Sequence, residues 1–221
     1  MKRSTKITTV IIIFFIIIAA VIGGRYAMKI HFQKKFGKRP PPAVIVETVK
    51  SEITEGSENA KIKIYVYQSL TCPHCAVFHT EIYPLLKKDY IDTGVLKIYF
   101  RHFPLDLAAL NAAKILQCID EKNRISFLDH LYETQENWIK GTTIEDINQN
   151  LKKAVKKFAF NEKDFDKCLV LEDVENHVLN SRIEAVKNFK INSTPKVIIN
   201  GKVFKDTLEY KNLKRAIEKL I

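Results

Sequence analysis

The sequence predicts an α/β fold in which a block of helices interrupts the strands, behind an N-terminal hydrophobic segment. Three observations predict it. Alternating and β-rich runs at 61–67 and 95–100 bracket a helical stretch. Apolar residues at helical spacing recur from about 105 to 190. A second pair of β-rich runs, split by Asn200-Gly201 and followed by one more helical stretch, closes the chain.

Residues 1–24 read as a signal peptide or a membrane anchor. Residues 7–24 carry no charge, at the short end of what spans a bilayer. Val21-Ile22-Gly23 makes a poor cleavage site, which favours a retained anchor. Three basic residues precede the apolar run and six follow it up to Arg39, a count that by itself favours a cytoplasmic domain. A short basic N-terminus before an apolar run is also how export signals begin, and the cysteine chemistry below favours export. Residues 25–43 form a basic, Pro-rich linker ending in Pro40-Pro41-Pro42, a stiff extended spacer.

The net charge of +11 is concentrated at this end. Residues 1–39 hold nine basic side chains and no acid, leaving 27 bases against 25 acids in the rest. The globular part therefore lacks the basic surface that nucleic-acid binding requires, and no nucleic-acid partner is expected.

From residue 44 the pattern is globular. Lys61 to Tyr67 alternates, with Ile62, Ile64 and Val66 on one face of a strand. Thr71 is placed to cap a helix whose first turn tolerates Pro73. That helix directs Phe78 and Ile82 to a core, is kinked at Pro84, and ends before Gly94. Val95 to Phe100 is a second strand. In the helical block, Leu128, Leu131 and Tyr132 form one core stripe and Leu179, Ile183 and Val186 another. Asn200-Gly201 predicts a hairpin turn. A last helix is expected from Asp206, with Glu209 completing its cap and Leu213, Ile217 and Leu220 facing inward.

The chemistry lies in Cys72-Pro-His-Cys75. A thiolate attacks disulfides and a thiol does not, so a redox cysteine needs help losing its proton. Cys72 sits where a strand yields to a helix, and free N–H groups and the helix dipole there favour negative charge. His74 can add a hydrogen bond or a positive charge. Cys75, one turn on, is within disulfide reach and can resolve a mixed disulfide. Lowering a thiol pKa from ~8.5 to ~3.5, an extreme known for redox cysteines, stabilises the thiolate by about 7 kcal/mol, equivalent to ~150 mV. Stabilising the reduced thiolate makes the disulfide an oxidant, so the pair is expected to donate disulfides. A zinc site would need a second ligand pair. Cys118 and Cys168 belong to no CxxC, although His79 and His102 could be recruited. Cys118 and Cys168 are either a structural disulfide or two buried free thiols, and an oxidising compartment favours the bridge.

Three segments, Tyr67 to His79, Tyr99 to Leu105, and Ser193-Thr194-Pro195, closely resemble the DsbA-like thiol oxidoreductases of the thioredoxin superfamily. The resemblance implies a thioredoxin-like fold with an inserted helical domain: residues 44–104 as its first part, 105–190 as the helical insertion, and 191–221 as its second part. It implies that Cys72 is the nucleophile and Cys75 the resolving thiol, that Pro195 is a cis-proline opposite them, and that Thr194 presents backbone to the substrate peptide. The activity implied is introduction of disulfides into exported, unfolded, cysteine-containing proteins in the periplasm or another extracytoplasmic space. Reoxidation would come from a membrane partner, DsbB-like or equivalent, and no cofactor is implied. A reductase or isomerase is the alternative within that chemistry; a tethered peptide-binding module without turnover is the alternative outside it. One departure stands out. Where wider relatives carry a buried acid six residues before the first cysteine, this chain has Val66, so the resemblance does not say which group takes the proton of Cys75.

Overall fold

The computed structural model describes residues 51–221. The expected signal or anchor segment and the Pro-rich linker lie outside those residues. Among the described residues no helix is long and apolar enough to cross a membrane.

The chain enters through β1 (Ile53–Glu55) and β2 (Ile62–Gln68). Helix α1 (Pro73–Val77) then runs through a π-helical turn, Phe78–Ile82, into α2 (Tyr83–Leu86) and a second π-turn, Lys87–Ile91. β3 (Leu96–His102) follows. The helices α3 (Leu107–Cys118), α4 (Glu121–Glu133), α5 (Gln135–Trp138), α6 (Ile144–Val155), α7 (Glu162–Leu169) and α8 (Glu172–Phe189) come next. β4 (Lys196–Ile199), β5 (Lys202–Val203) and α9 (Tyr210–Glu218) complete the chain. This is the α/β order expected, with one addition: the three-residue β1, too short for a period to show.

The five strands form one mixed sheet in the order β1-β3-β2-β4-β5. β2 and β3 are parallel, with Ile64 opposite Ile98, while the outer strands run antiparallel to their neighbours. Ile62, Ile64 and Val66 are fully buried on one face, in the core shared with Phe78, Leu86, Phe127 and Leu131. Tyr67 and Ile198 face the other way, against Phe103, Ala185 and Ile191. A central strand buried on both faces explains the density of β-branched residues in it. The parallel β2–β3 pair places both strand ends, and the loops after them, on one edge of the sheet. That edge carries Cys72.

At Asn200-Gly201 both residues have positive φ, 45° and 79°, as a two-residue hairpin with this twist demands. Pro84 does not break its helix. It sits in the first turn of α2, where its missing N–H is harmless, and the break in register is absorbed by the π-turn before it. Three expectations are corrected. Ile183 and Val186 are 59% and 46% exposed; the buried stripe of α8 is Val174, Val178, Ser181 and Ala185. Leu220 is exposed, although Leu213 and Ile217 are buried. The last helix starts at Tyr210, because Glu209 is still extended and forms its N-cap.

Candidate active site

The turn between β2 and α1 is fixed from three sides. Ser69 O accepts the N–H of Cys72 at 3.1 Å. Gln135 Nε2, buried at the start of α5, donates to Leu70 O at 2.7 Å and to Cys72 O at 3.2 Å. From the loop after β3, Leu105 N donates to Ser69 Oγ at 3.3 Å, and Thr71 Oγ1 donates to Asp106 Oδ2 at 2.6 Å. With its hydroxyl committed to Asp106, Thr71 does not cap the helix. Cys72 occupies the N-cap position itself, extended at φ −82°, ψ 119°, and Pro73 follows at the first helical position. This turn therefore sets the Cys72 sulfur beside the backbone N–H groups of His74 and Cys75 in the first helical turn.

Both cysteines are free thiols in this structure; Cys72 is 7% exposed and Cys75 fully buried. Cys72 Sγ donates to Thr194 O at 3.5 Å. The Cys75 thiol, the Thr194 hydroxyl and the N–H groups of Cys75 and His74 all favour the Cys72 thiolate and, against the cost of burial, bring its pKa down to about 5. Burial pushes the Cys75 thiol far up, and the neighbouring Cys72 thiolate adds to the shift. One sulfur is thus ionised at neutral pH because its partner keeps its proton and donates it as a hydrogen bond.

His74 faces solvent, and what acts on Cys72 is its backbone N–H rather than its imidazole. Across from the two sulfurs, the Thr194–Pro195 peptide is cis and both residues are half-buried. Thr194 Oγ1 is buried with no aligned partner in the dithiol, which leaves it available to the thiolate. Cys118 and Cys168 are joined in a disulfide 50 residues apart in sequence, linking the end of α3 to α7. His79 and His102 do not converge with the cysteines on a metal. His79 lies beneath the helix against Asp129, His102 is bonded by Gln117 at the end of β3, and no cluster of three ligating side chains occurs among the described residues.

Gln135, Asp106 and Asp129 also surround the site but gave no sequence signal, while Tyr132 reads only as core and His79 only as a recruitable metal ligand. Gln135 belongs to a four-residue helix with no period of its own. Tyr132 reads as core in any stripe, and it is core, but its hydroxyl donates to Ser69 O at 3.3 Å directly behind Cys75.

Comparison with known proteins agrees with this geometry. Relatives from Rickettsia typhi and Rickettsia prowazekii, whose names place them with protein-disulfide oxidoreductases, are each 24% identical over 77% and 82% of this chain. The chain spans only 62% and 65% of their own length. Disulfide bond formation protein D of Bacillus subtilis is 27% identical, with 78% of each chain covered. The crystal structure of Wolbachia pipientis alpha-DsbA1 superposes with a TM-score of 0.70 at 26% identity, covering 77% of this chain and 91% of that one. Residues 48–219 match the family model described as thioredoxin. With the CPHC turn, the interposed helices and these similarities together, the chain belongs to the thioredoxin family, as a DsbA-like member.

Proposed function

We propose that the chain is a protein thiol–disulfide oxidoreductase that introduces disulfides through Cys72 and Cys75. The observation that carries this is the pairing of a Cys72 thiol with a pKa of about 5 and a fully buried, neutral Cys75 behind it. In the oxidised protein, a client thiolate attacks Cys72 Sγ; the Cys72–Cys75 bond breaks and Cys75 leaves with the electron pair. A second client thiolate then attacks the client sulfur of the mixed disulfide, forming the client's disulfide and releasing Cys72 as thiolate. Two electrons pass from the client to the pair. One client proton ends on Cys75 and the other in solvent.

The depressed acidity of Cys72 sets the direction. At pH 7 the reduced form is stabilised by about 2 kcal/mol once the solvent that reaches the sulfur is allowed for. That is worth about 40 mV toward an oxidant. Exported, unfolded proteins are the clients, an extracytoplasmic space is the site of action, and a membrane partner reoxidises the pair. The N-terminal apolar segment and the Cys118–Cys168 disulfide, a bond favoured in oxidising compartments, support that placement. The Thr194 carbonyl beside Cys72 supports docking of the client as an extended peptide alongside residues 193–195.

The test is oxidation of a dithiol peptide by the native protein beside Cys72→Ala. The variant is expected to show no catalysis above background. Equal rates in the two proteins would end this reading.

A further inference from the structure

The carbonyl of Cys72 carries one donor more than it can hold. A peptide oxygen has two lone pairs, yet three N–H groups converge on this one. Cys75 N stands at 3.1 Å and Ala76 N at 3.2 Å, both from the start of the active-site helix. Gln135 Nε2 stands at 3.2 Å and comes from outside that helix, at the start of α5. The Ala76 N–H makes the regular i to i−4 bond of a helix. The Gln135 amide, 5% exposed, spends its other hydrogen on Leu70 O at 2.7 Å. That leaves the Cys75 N–H as the donor with a second acceptor beside it.

The second acceptor is the Cys72 sulfur. Cys72 is the N-cap and Cys75 the third helical residue, whose N–H is one that a capping side chain takes. In the dithiol the sulfur makes no such capping bond, as suits a thiol, which accepts weakly. An ionised sulfur accepts far better, and the Cys75 N–H is among the groups that favour it. When this N–H turns to the sulfur, Ala76 N and Gln135 Nε2 remain on the Cys72 carbonyl and fill both its lone pairs. Without Gln135 the same turn would leave that oxygen under-bonded in a buried site, which opposes it.

The corner between α4 and α5 holds Gln135 in place for this task. Trp138, 2% exposed, donates through Nε1 to Leu131 O at 2.8 Å and closes α5 onto the end of α4. Thr134 Oγ1 donates to His130 O at 2.6 Å. From the same corner the Tyr132 hydroxyl donates at 3.3 Å to Ser69 O, the carbonyl that also accepts Cys72 N.

We propose that Gln135 is a positioning residue of the redox reaction, whose amide replaces the Cys75 N–H on the Cys72 carbonyl and so releases that N–H to the Cys72 sulfur. This rests on the redox reading of Cys72 and Cys75 given above. Gln135 does not touch the sulfur; it acts through the backbone. The switch of donor accompanies each release of Cys72 as a thiolate and reverses when Cys72 re-enters a disulfide.

The experiment is titration of Cys72 at 240 nm in the reduced full-length protein. Gln135→Met is set beside the native chain, with the double substitution Cys118→Ala, Cys168→Ala as a chain destabilised elsewhere. Methionine keeps an unbranched side chain but has no donor. The Cys72 midpoint of Gln135→Met should rise by about one unit. Its equilibrium with glutathione at pH 7 should shift about tenfold toward the oxidised protein, because the reduced form has lost that much thiolate stabilisation. The doubly substituted chain should titrate as the native one does. A midpoint unmoved in Gln135→Met, or moved as far in the doubly substituted chain, would overturn the proposal. Where Gln135→Met does not fold, NMR of the native chain decides. Its Cys75 amide proton should move downfield as Cys72 ionises, and a resonance that stays in place would overturn the proposal. A native Cys72 that titrates as an ordinary thiol would instead overturn the redox reading on which this one rests.

Discussion

At Cys72 the chemistry depends on hydrogen bonds that are individually modest and all point at one sulfur. The Thr194 hydroxyl, buried without another partner, is available to the thiolate, and a bond to an ionised group contributes about 1.5–3 kcal/mol. Thr194→Val should therefore raise the Cys72 pKa by about one unit, read as the midpoint of the 240 nm absorbance in the reduced protein. An unchanged midpoint would show that the Cys75 thiol and the backbone N–H groups carry the effect without it. Gln135 makes a second case. Gln135→Ala leaves the carbonyl of Leu70 buried without a donor, and should cost about 1–3 kcal/mol in urea unfolding. The two cysteines were legible in the sequence because the chemistry demands their spacing. Gln135 was not, because a side chain that bonds a distant turn's carbonyls leaves no periodic trace. The role of His74 was misplaced for a related reason: residue type suggested an imidazole effect, whereas the local fold uses its amide.

Among the elements, α3 is held most heavily. The Cys118–Cys168 disulfide ties its end to α7, buried Lys114 bonds Leu169 O and Glu175 Oε2, and buried Arg124 on α4 donates to the carbonyls of Gln117 and Ile119. Those carbonyls are what a helix C-terminus leaves unpaired. The double substitution Cys118→Ala, Cys168→Ala should lower the unfolding free energy by about 2–4 kcal/mol. It should leave the rate of peptide oxidation within a factor of two or so, since neither sulfur approaches Cys72; a lost activity would give the bridge a redox task. Helix existence was readable throughout this block, but helix phase was not always. On α8 the larger apolar residues Leu179, Ile183 and Val186 drew the stripe to the wrong side. The face that packs is built of Val174, Val178, Ser181 and Ala185, because small residues let the helix lie close to its neighbours.

For the whole molecule, pH acts on the folded state through buried histidines and Cys72, all of which favour folding as pH rises. Burial lowers the His102 pKa to about 3, and lowers that of His177 as well. The unfolded chain protonates these rings near 6.5, so stability should fall as pH drops from about 6.5 toward 3. Cys72 adds a term in the reduced protein only. Its folded pKa lies below its unfolded one, so its contribution is full above about 9 and is lost as pH falls through about 5. The stability gap between reduced and oxidised protein should thus shift toward the reduced form as pH rises from 5 to 9, measured by urea unfolding of each. A pH-independent gap would contradict the thiolate assignment. The sheet margins carry a different consequence. β1 and β5, its outermost strands, are three and two residues long. A protein that meets half-folded polypeptides risks recruiting them, edge to edge, into a growing β-stack. Margins this brief give such visitors almost no ladder to extend, so encounters are channelled to the sulfur and end in release rather than in co-aggregation.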